Sequence, residues 1–372
     1  MYWGYVISQI ATAQFQTCMT VVAVLGSGDY WNLLRVRALC ITAFAVFQGY
    51  ALNPRAPLRH PQQNLHVSGR PISLRRASAM TFEGPRFIVD SHLHVWGDGK
   101  APFPYAEGQE PPERLQQSSG PDTLVAEMDN AGVGGALIVQ PINYKFDHSF
   151  VLNAIKTHPG RFKGMCLANP SLSPDDACAE LQHLHDQGFC GVRFNPYLWP
   201  QGSSGMIDDT GLALYRKAGE LNMPVGVMCF KGFGLHVKEI KALLESSSGT
   251  KLVVDHFGFF LQDGAADEVA WEQILSLAKY PQTFIKISAF FRVAKDPYPY
   301  SSLQPRLAAL LEHFGPQRLL WGTDFPFVSD GQCGYGPAKD VVCNAMGLTD
   351  EQLHHVLSGT AQELFGSWTD RA

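Results

Sequence analysis

Phe87-Ile88-Val89-Asp90-Ser91-His92-Leu93-His94-Val95-Trp96 is a short apolar run that breaks into polar residues and two histidines. Its β-branched start reads as a buried strand over Phe87–Asp90, and no glycine-rich phosphate loop follows it. The same pattern, a short apolar run and then an amphipathic stretch, recurs to the C-terminus. Further strands are expected at Ala136–Gln140, Lys163–Ala168, Gly191–Phe194, Val225–Cys229, Lys251–Val254, Thr283–Ile287 and Arg318–Trp321. Helical periodicity falls at Thr123–Ala131, Phe150–Thr157, Pro174–Gln187, Gly211–Leu221, Val237–Leu244, Glu268–Lys279, Leu303–Phe314 and Asp350–Leu364. Alternation of this kind builds parallel sheets, and eight such units close a barrel. A doubly wound open sheet also alternates, but the missing fingerprint after the first strand removes its main support. The expected fold is α/β: a (β/α)₈ TIM barrel over residues 81–372, one domain preceded by an extension over residues 1–80.

Composition narrows the partners. A net charge of −5 with no run of Lys or Arg offers no nucleic-acid surface, which leaves small molecules. The eight cysteines show no CxxC pairing, against both a disulfide framework and a zinc knuckle. Residues 1–80 carry seven arginines, no lysine and one acidic residue, Asp29. An acid-poor, arginine-containing leader suits an organelle transit peptide, with a chloroplast before a mitochondrion. An over-extended start, with Met80 as the true first residue and the cytoplasm as the location, is the alternative. The apolar run Leu39–Phe47 is shorter than the roughly 20 residues a spanning helix needs, so no membrane partner is expected for the mature domain.

The chemistry gathers at strand ends. His92 and His94 are two apart and so project together, and two neutral imidazoles can hold a divalent ion such as zinc or manganese. They can equally be satisfied by neighbouring hydrogen bonds. Asp324, in Leu319-Leu320-Trp321-Gly322-Thr323-Asp324-Phe325-Pro326, ends strand eight, which adjoins strand one in a closed barrel. Its carboxylate can complete a metal site, take a proton from water, or cap a turn. Of Asp255 and His256 at the end of strand six, one should face the mouth; His256 is the expected proton carrier or further ligand. Arg193, Lys231, Lys286 and Arg292, with Asn143, Tyr144 and Lys145, lie near strand ends. Arg193, Lys286 and Tyr144 are the expected substrate contacts. Convergence of two or three such cations would favour an anionic substrate, Arg193 above all because its planar fork suits a carboxylate. Lys286, inside an apolar strand, should pair with an acid or stabilise developing negative charge. Aromatics on the same loops would line a small organic pocket or pack between subunits of a homo-oligomer.

Five segments in order, VDSHLHVW, GVRFN, VVDHFG, FIKIS and LLWGTDFPF, resemble the amidohydrolase-related family. The likeness covers Phe87 to Phe365 and is to its lactonases of the 2-pyrone-4,6-dicarboxylate hydrolase and fuconolactonase type. It implies a barrel with its site at the mouth, His92 and His94 as the strand-one ligand pair, His256 as the strand-six histidine and Asp324 as the acid that activates water. One departure stands out. Metal-dependent members place a histidine at strand five, where this chain has Val227-Met228-Cys229-Phe230. Hydrolysis of a carboxylate-bearing lactone, or an amide, is therefore the expected activity, with metal assistance left open. Metal-dependent decarboxylation and ligand binding without turnover are the alternatives.

Overall fold

The computed structural model describes residues 87–200 and 202–368. The expected leader, residues 1–80, lies outside them. Eight strands form one sheet: β1 (Val89–Leu93), β2 (Gly135–Val139), β3 (Phe162–Leu167), β4 (Phe189–Phe194), β5 (Val225–Val227), β6 (Leu252–Val254), β7 (Thr283–Ser288) and β8 (Leu319–Gly322). Neighbours pair in parallel from β1 through β8. The barrel closes where β8 runs out: Asp324 N donates to His92 O at 2.8 Å and His94 N to Phe325 O at 2.7 Å. Among the described residues no helix is long and apolar enough to cross a membrane.

Principal helices follow the strands: α1 (Pro121–Ala131), α2 (Ser149–Thr157), α3 (Pro174–Asp186), α4 (Asp209–Glu220), α5 (Val237–Ser246), α6 (Glu268–Leu275) and α7 (Gln304–Phe314). Their starts are written in side chains. Ser173, Asp208 and Asp267 accept from the backbone of Asp176, Gly211 and Ala270, satisfying donors that a first turn leaves free. The expected C-terminal helix is three pieces, Asp350–His354, a π-helical His355–Gly359 and Thr360–Phe365. Its capping box, Thr349 with Gln352, fixes where it begins.

Strand residues are buried on both faces, as a barrel wrapped in helices requires. One set (Ala136, Ile138, Val192, Phe194, Val254, Ile287 and others) packs under the helices. The alternate set (Val89, Leu137, Val139, Met165, Val253, Phe284 and Leu320) forms a separate inner cluster with Phe365 and Trp368 of the C-terminal segment. The opposite end of the barrel is left to polar residues.

β1 carries the feature that aims the site. Its register against β2 shifts between Asp90 and Leu93. Val89 belongs to the inner cluster, whereas Leu93 packs under the helices. A plain strand would put Val89, Ser91 and Leu93 on one face, so the irregularity reverses the alternation and turns His92 inward. Asp90 stabilises this bend by accepting from His92 N at 3.1 Å.

Candidate active site

The ends of β1, β4, β6, β7 and β8 meet at one mouth. Asp324 sits at φ 63°, in the left-handed region that residues other than glycine rarely adopt. His256, Phe257, Phe259 and Ala289 share that region on the adjoining loops. Each such residue costs on the order of 1–3 kcal/mol, and strain of this kind gathers where geometry is held for a task. The strand-eight turn is held by buried Asp90, whose carboxylate accepts from Thr323 N at 3.0 Å and Thr323 Oγ1 at 2.6 Å. Burial pushes the Asp90 carboxyl up to about 6, against these hydrogen bonds.

Asp324 Oδ2 accepts from Arg292 Nε at 2.7 Å, and Oδ1 lies 3.6 Å from His94 Nε2 and 4.0 Å from His92 Nε2. Burial raises the Asp324 carboxyl above its ordinary value, with Arg292 opposing. Burial also holds the histidines neutral: His94 is lowered to about 3, and His92 and His256 well below the usual imidazole value. His94 Nδ1 donates to Val139 O at 2.9 Å, which leaves its Nε2 with a lone pair facing Asp324. His256 Nδ1 pairs with Ser288 Oγ at 2.7 Å, and its ring centroid is 4.3 Å from that of His92.

Beneath these groups lies a buried ionic triangle. Asp255 Oδ1 is 3.2 Å from both His92 Nδ1 and Lys286 Nζ, and Lys286 Nζ is 3.0 Å from His92 Nδ1. Arg193 NH2 stands 3.5 Å from Asp255 Oδ2. Burial alone would raise the Asp255 carboxyl, but Lys286 and Arg193 outweigh it and hold it below its ordinary value. Burial lowers Lys286, and the carboxylate beside it favours the ammonium.

A cavity of about 210 Å³ opens above. Arg193, Asn195, Arg292, His94, His256 and Asp324 give it its polar wall, and Trp96, Ile142, Met228, Phe230, Phe259 and Phe327 its apolar one. Arg292 is wedged between Phe291 and Phe327, 4.9 and 4.6 Å from the two rings.

Of the expected site residues, His94, His256, Asp324 and Arg193 line the cavity, and His92 lies wholly buried beneath it, with Nε2 4.0 Å from Asp324 Oδ1. Two others do not reach the cavity either. Lys286 is wholly buried and spends its charge on Asp255, the acid-pairing alternative stated for it. Tyr144 is buried behind the wall, accepting from Gly97 N at 2.8 Å and stacking on Phe150, so it holds the β1 loop and cannot contact a substrate. Asp255, Asn195 and Gln140 were missed as site residues. Asp255 stood beside the chosen His256, and nothing local marks which of two adjacent polar residues turns inward. Met228 lines the cavity and Cys229 beside it is buried, so strand five contributes a thioether.

Residues 89–367 match the amidohydrolase family profile over three quarters of the chain's length. The chain belongs to the amidohydrolase family. It is a hydrolase built on that family's barrel. This amidohydrolase is 27% identical over 297 residues to 4-sulfomuconolactone hydrolase of Hydrogenophaga intermedia, covering 76% of this chain and 91% of the relative. It is 28% identical over 260 residues to 2-pyrone-4,6-dicarboxylate hydrolase of Comamonas testosteroni, covering 66% and 78%. In fold it is similar to a probable 2-pyrone-4,6-dicarboxylic acid hydrolase of Acinetobacter baumannii solved with citric acid (TM-score 0.62, 22% identity, 75% of this chain and 99% of that one). An amidohydrolase of Burkholderia multivorans, solved with zinc, shares the fold at TM-score 0.56 and 19% identity, over 75% and 99%. In this chain His92, His256 and Asp324 bring ligand atoms within 4.8 Å of one another, a donor set of the type that holds divalent ions.

Proposed function

We propose that this amidohydrolase opens a small lactone bearing a carboxylate or sulfonate. The observation that carries the reading is one cavity in which a buried carboxylate, Asp324, is flanked by two guanidinium groups, Arg193 and Arg292. A base on the pocket wall beside two anion receptors suits hydrolysis of an anionic ester. The names of the sequence relatives, which are lactone hydrolases, support the same class. A cavity below the ~300–1,000 Å³ of drug-sized pockets keeps the substrate small.

In this reading Arg193 and Arg292 bind the anionic group and orient the ring. Arg193 Nε is buried with no hydrogen-bond partner among the described residues, so a substrate oxygen would complete its hydrogen bonds. Asp324 Oδ1 takes a proton from water as the oxygen attacks the lactone carbonyl carbon. The acyl C–O bond then breaks, and His256 carries the proton to the leaving ring oxygen, giving a hydroxy acid. Raising Asp324 by burial makes it a stronger base than an exposed carboxylate.

His92, His256 and Asp324 would hold a divalent metal, their ligand atoms lying within 4.8 Å of one another, with Asp255 Oδ1 at 3.2 Å from His92 Nδ1 placed to orient that imidazole. Lys286 Nζ at 3.0 Å from the same Nδ1 and Arg292 on Asp324 Oδ2 would compete with such an ion. An ion there would polarise the lactone carbonyl, and the steps above need only the chain's own groups.

The test is a lactone panel on the full chain, with acid release followed by pH indicator. Carboxylate- or sulfonate-bearing lactones should be opened with lower KM than L-fucono-1,5-lactone. Asp324→Asn should lower kcat by ~10²–10⁴ while the circular dichroism stays native. Carbon dioxide release from an aromatic acid, with no lactone opened, would replace this reading with decarboxylation.

A further inference from the structure

Gln140 follows β2 directly and lines the cavity. Both hydrogens of its amide are committed. Nε2 donates to Asp147 O at 2.8 Å and to Lys145 O at 3.2 Å, in the loop that follows the strand. Two carbonyls only accept, so the amide cannot turn over, and Oε1 is held as an acceptor. That atom is buried and has no hydrogen-bond partner among the described residues. Asn195, which follows β4 on the same cavity wall, is locked the other way round. Its Oδ1 accepts from Tyr197 N at 3.2 Å, which leaves the Nδ2 hydrogens to donate. We propose that Gln140 is a specificity-determining residue whose Oε1 accepts a hydrogen bond from a hydroxyl group of the substrate.

Chemistry narrows what can meet Oε1. A carboxylate, sulfonate, carbonyl or ring oxygen only accepts and is repelled there. An ammonium could donate, but Arg193 and Arg292 line the same cavity and repel it. A neutral hydroxyl remains. The polar wall is therefore divided: the anionic group goes to the guanidiniums and the hydroxyl to the end of β2. The two cannot exchange places without setting acceptor against acceptor, so Gln140 also fixes which way round the ring lies. Val139, the residue before it, accepts from His94 Nδ1 at 2.9 Å, so this acceptor is built on the strand end that holds His94 beside Asp324. A lactone without the hydroxyl would leave Oε1 buried and unpaired. Sites built to bind a hydroxyl discriminate strongly against analogues that lack it.

The hydroxylated lactone as substrate rests on the lactone-hydrolase reading, whereas recognition of the hydroxyl does not, so the two can fail separately. The test uses the full chain with 5-oxotetrahydrofuran-2-carboxylate and its 3-hydroxy and 4-hydroxy derivatives, acid release being followed by pH indicator. Wild type should open at least one hydroxylated lactone with kcat/KM at least tenfold above the parent. In Gln140→Met, which keeps the side chain's length and removes the acceptor, that ratio should fall to within threefold of one. The ratio is internal to each variant, so loosening of the loop at Lys145 and Asp147 acts on both lactones alike. Gln140→Asn, whose amide is drawn back by one carbon, serves if Gln140→Met does not fold. Calorimetry with tetrahydrofuran-2-carboxylate and its hydroxylated derivatives, which have no lactone to open, reads the same preference without turnover. Equal kcat/KM for the parent and every hydroxylated lactone in wild type overturns the proposal and leaves the lactone-hydrolase reading standing. A preference that persists undiminished in the Gln140 variants overturns it too, because the hydroxyl is then read elsewhere. Tighter binding of a hydroxylated ether, abolished by Gln140→Met, with no lactone opened, keeps the role of Gln140 and removes the lactone-hydrolase reading. Neither lactone opening nor an ether preference would remove both.

Discussion

Arg292 holds Asp324 by one oxygen, Nε to Oδ2 at 2.7 Å, and so turns the other oxygen towards His94 and His92. The contact is rigid because the guanidinium is wedged between Phe291 and Phe327. Charge and direction come from the same residue. Lys could replace the first but not the second, since it lacks a planar fork.

Arg292→Met therefore acts twice on the lactone reaction. Removing the cation takes away the main opposition to burial, so the Asp324 carboxyl rises further. A base works only when ionised, so the acid limb of kcat moves to higher pH. KM for an anionic lactone should rise as well, because one of two anion receptors is gone. A pH–rate series on wild type and variant checks both; an unmoved limb would deny that Arg292 sets the base.

The pH profile of wild type follows from the same burial. His94, lowered by burial to about 3, stays neutral from pH 5 upward, and burial lowers His92 and His256 well below the usual imidazole value too. Activity should rise with pH through the raised Asp324 value and then stay level to pH 8, with no histidine limb. A limb near 6.5 that disappears in His94→Gln would show that the imidazole titrates and that the burial argument fails.

Asp90 links stability to pH in the opposite direction to an ordinary salt-bridged acid. Its folded value of about 6 exceeds the ordinary 3.8. A raised acid holds its proton more tightly when folded, so its contribution is full below 3.8 and is lost as pH rises through 6. The size is on the order of 3 kcal/mol. Asp90→Asn should flatten that part of the stability curve between pH 4 and 7, at the cost of weaker bonds to Thr323. Denaturant titrations at each pH measure the difference in slope.

Much of this was legible in the sequence because a barrel repeats one physical pattern. Seven of the eight strands lie within two residues of where apolar runs placed them, since burial on both faces leaves few other choices, and β1 runs on three residues further, to Leu93. The C-terminal region was read as one helix and is interrupted by a π-helical turn, which periodicity cannot display. The reversal inside β1 was also hidden: Asp90, Ser91 and His92 are three polar residues in a row that do not show which of them turns inward, and only pairing with β2 shows that the strand bends at Asp90. Lys286 showed its burial by its apolar neighbours, but its partner Asp255 comes from another strand and could not be named.

The seam between β8 and β1 offers the sharpest test of how tightly the site is built. A Cβ on Gly322 would lie 2.8 Å from both His92 Cβ and His92 N, and 3.2 Å from His92 Cα. Those are backbone and near-backbone atoms of the strand that aims His92, so they cannot swing aside. Gly322→Ala should cost ~1–3 kcal/mol of stability by overpacking, and displace His92 from Asp324. Gly226→Ala is the control: its Cβ would meet only the flexible end of Met165, at 3.0 Å from Sδ, which can move. Thermal melts and lactone turnover on both variants separate the effects. Gly322→Ala should lose far more activity than Gly226→Ala at a temperature where both remain folded. Equal activities would mean that the approach of β8 to His92 is packing alone and does not position the imidazole.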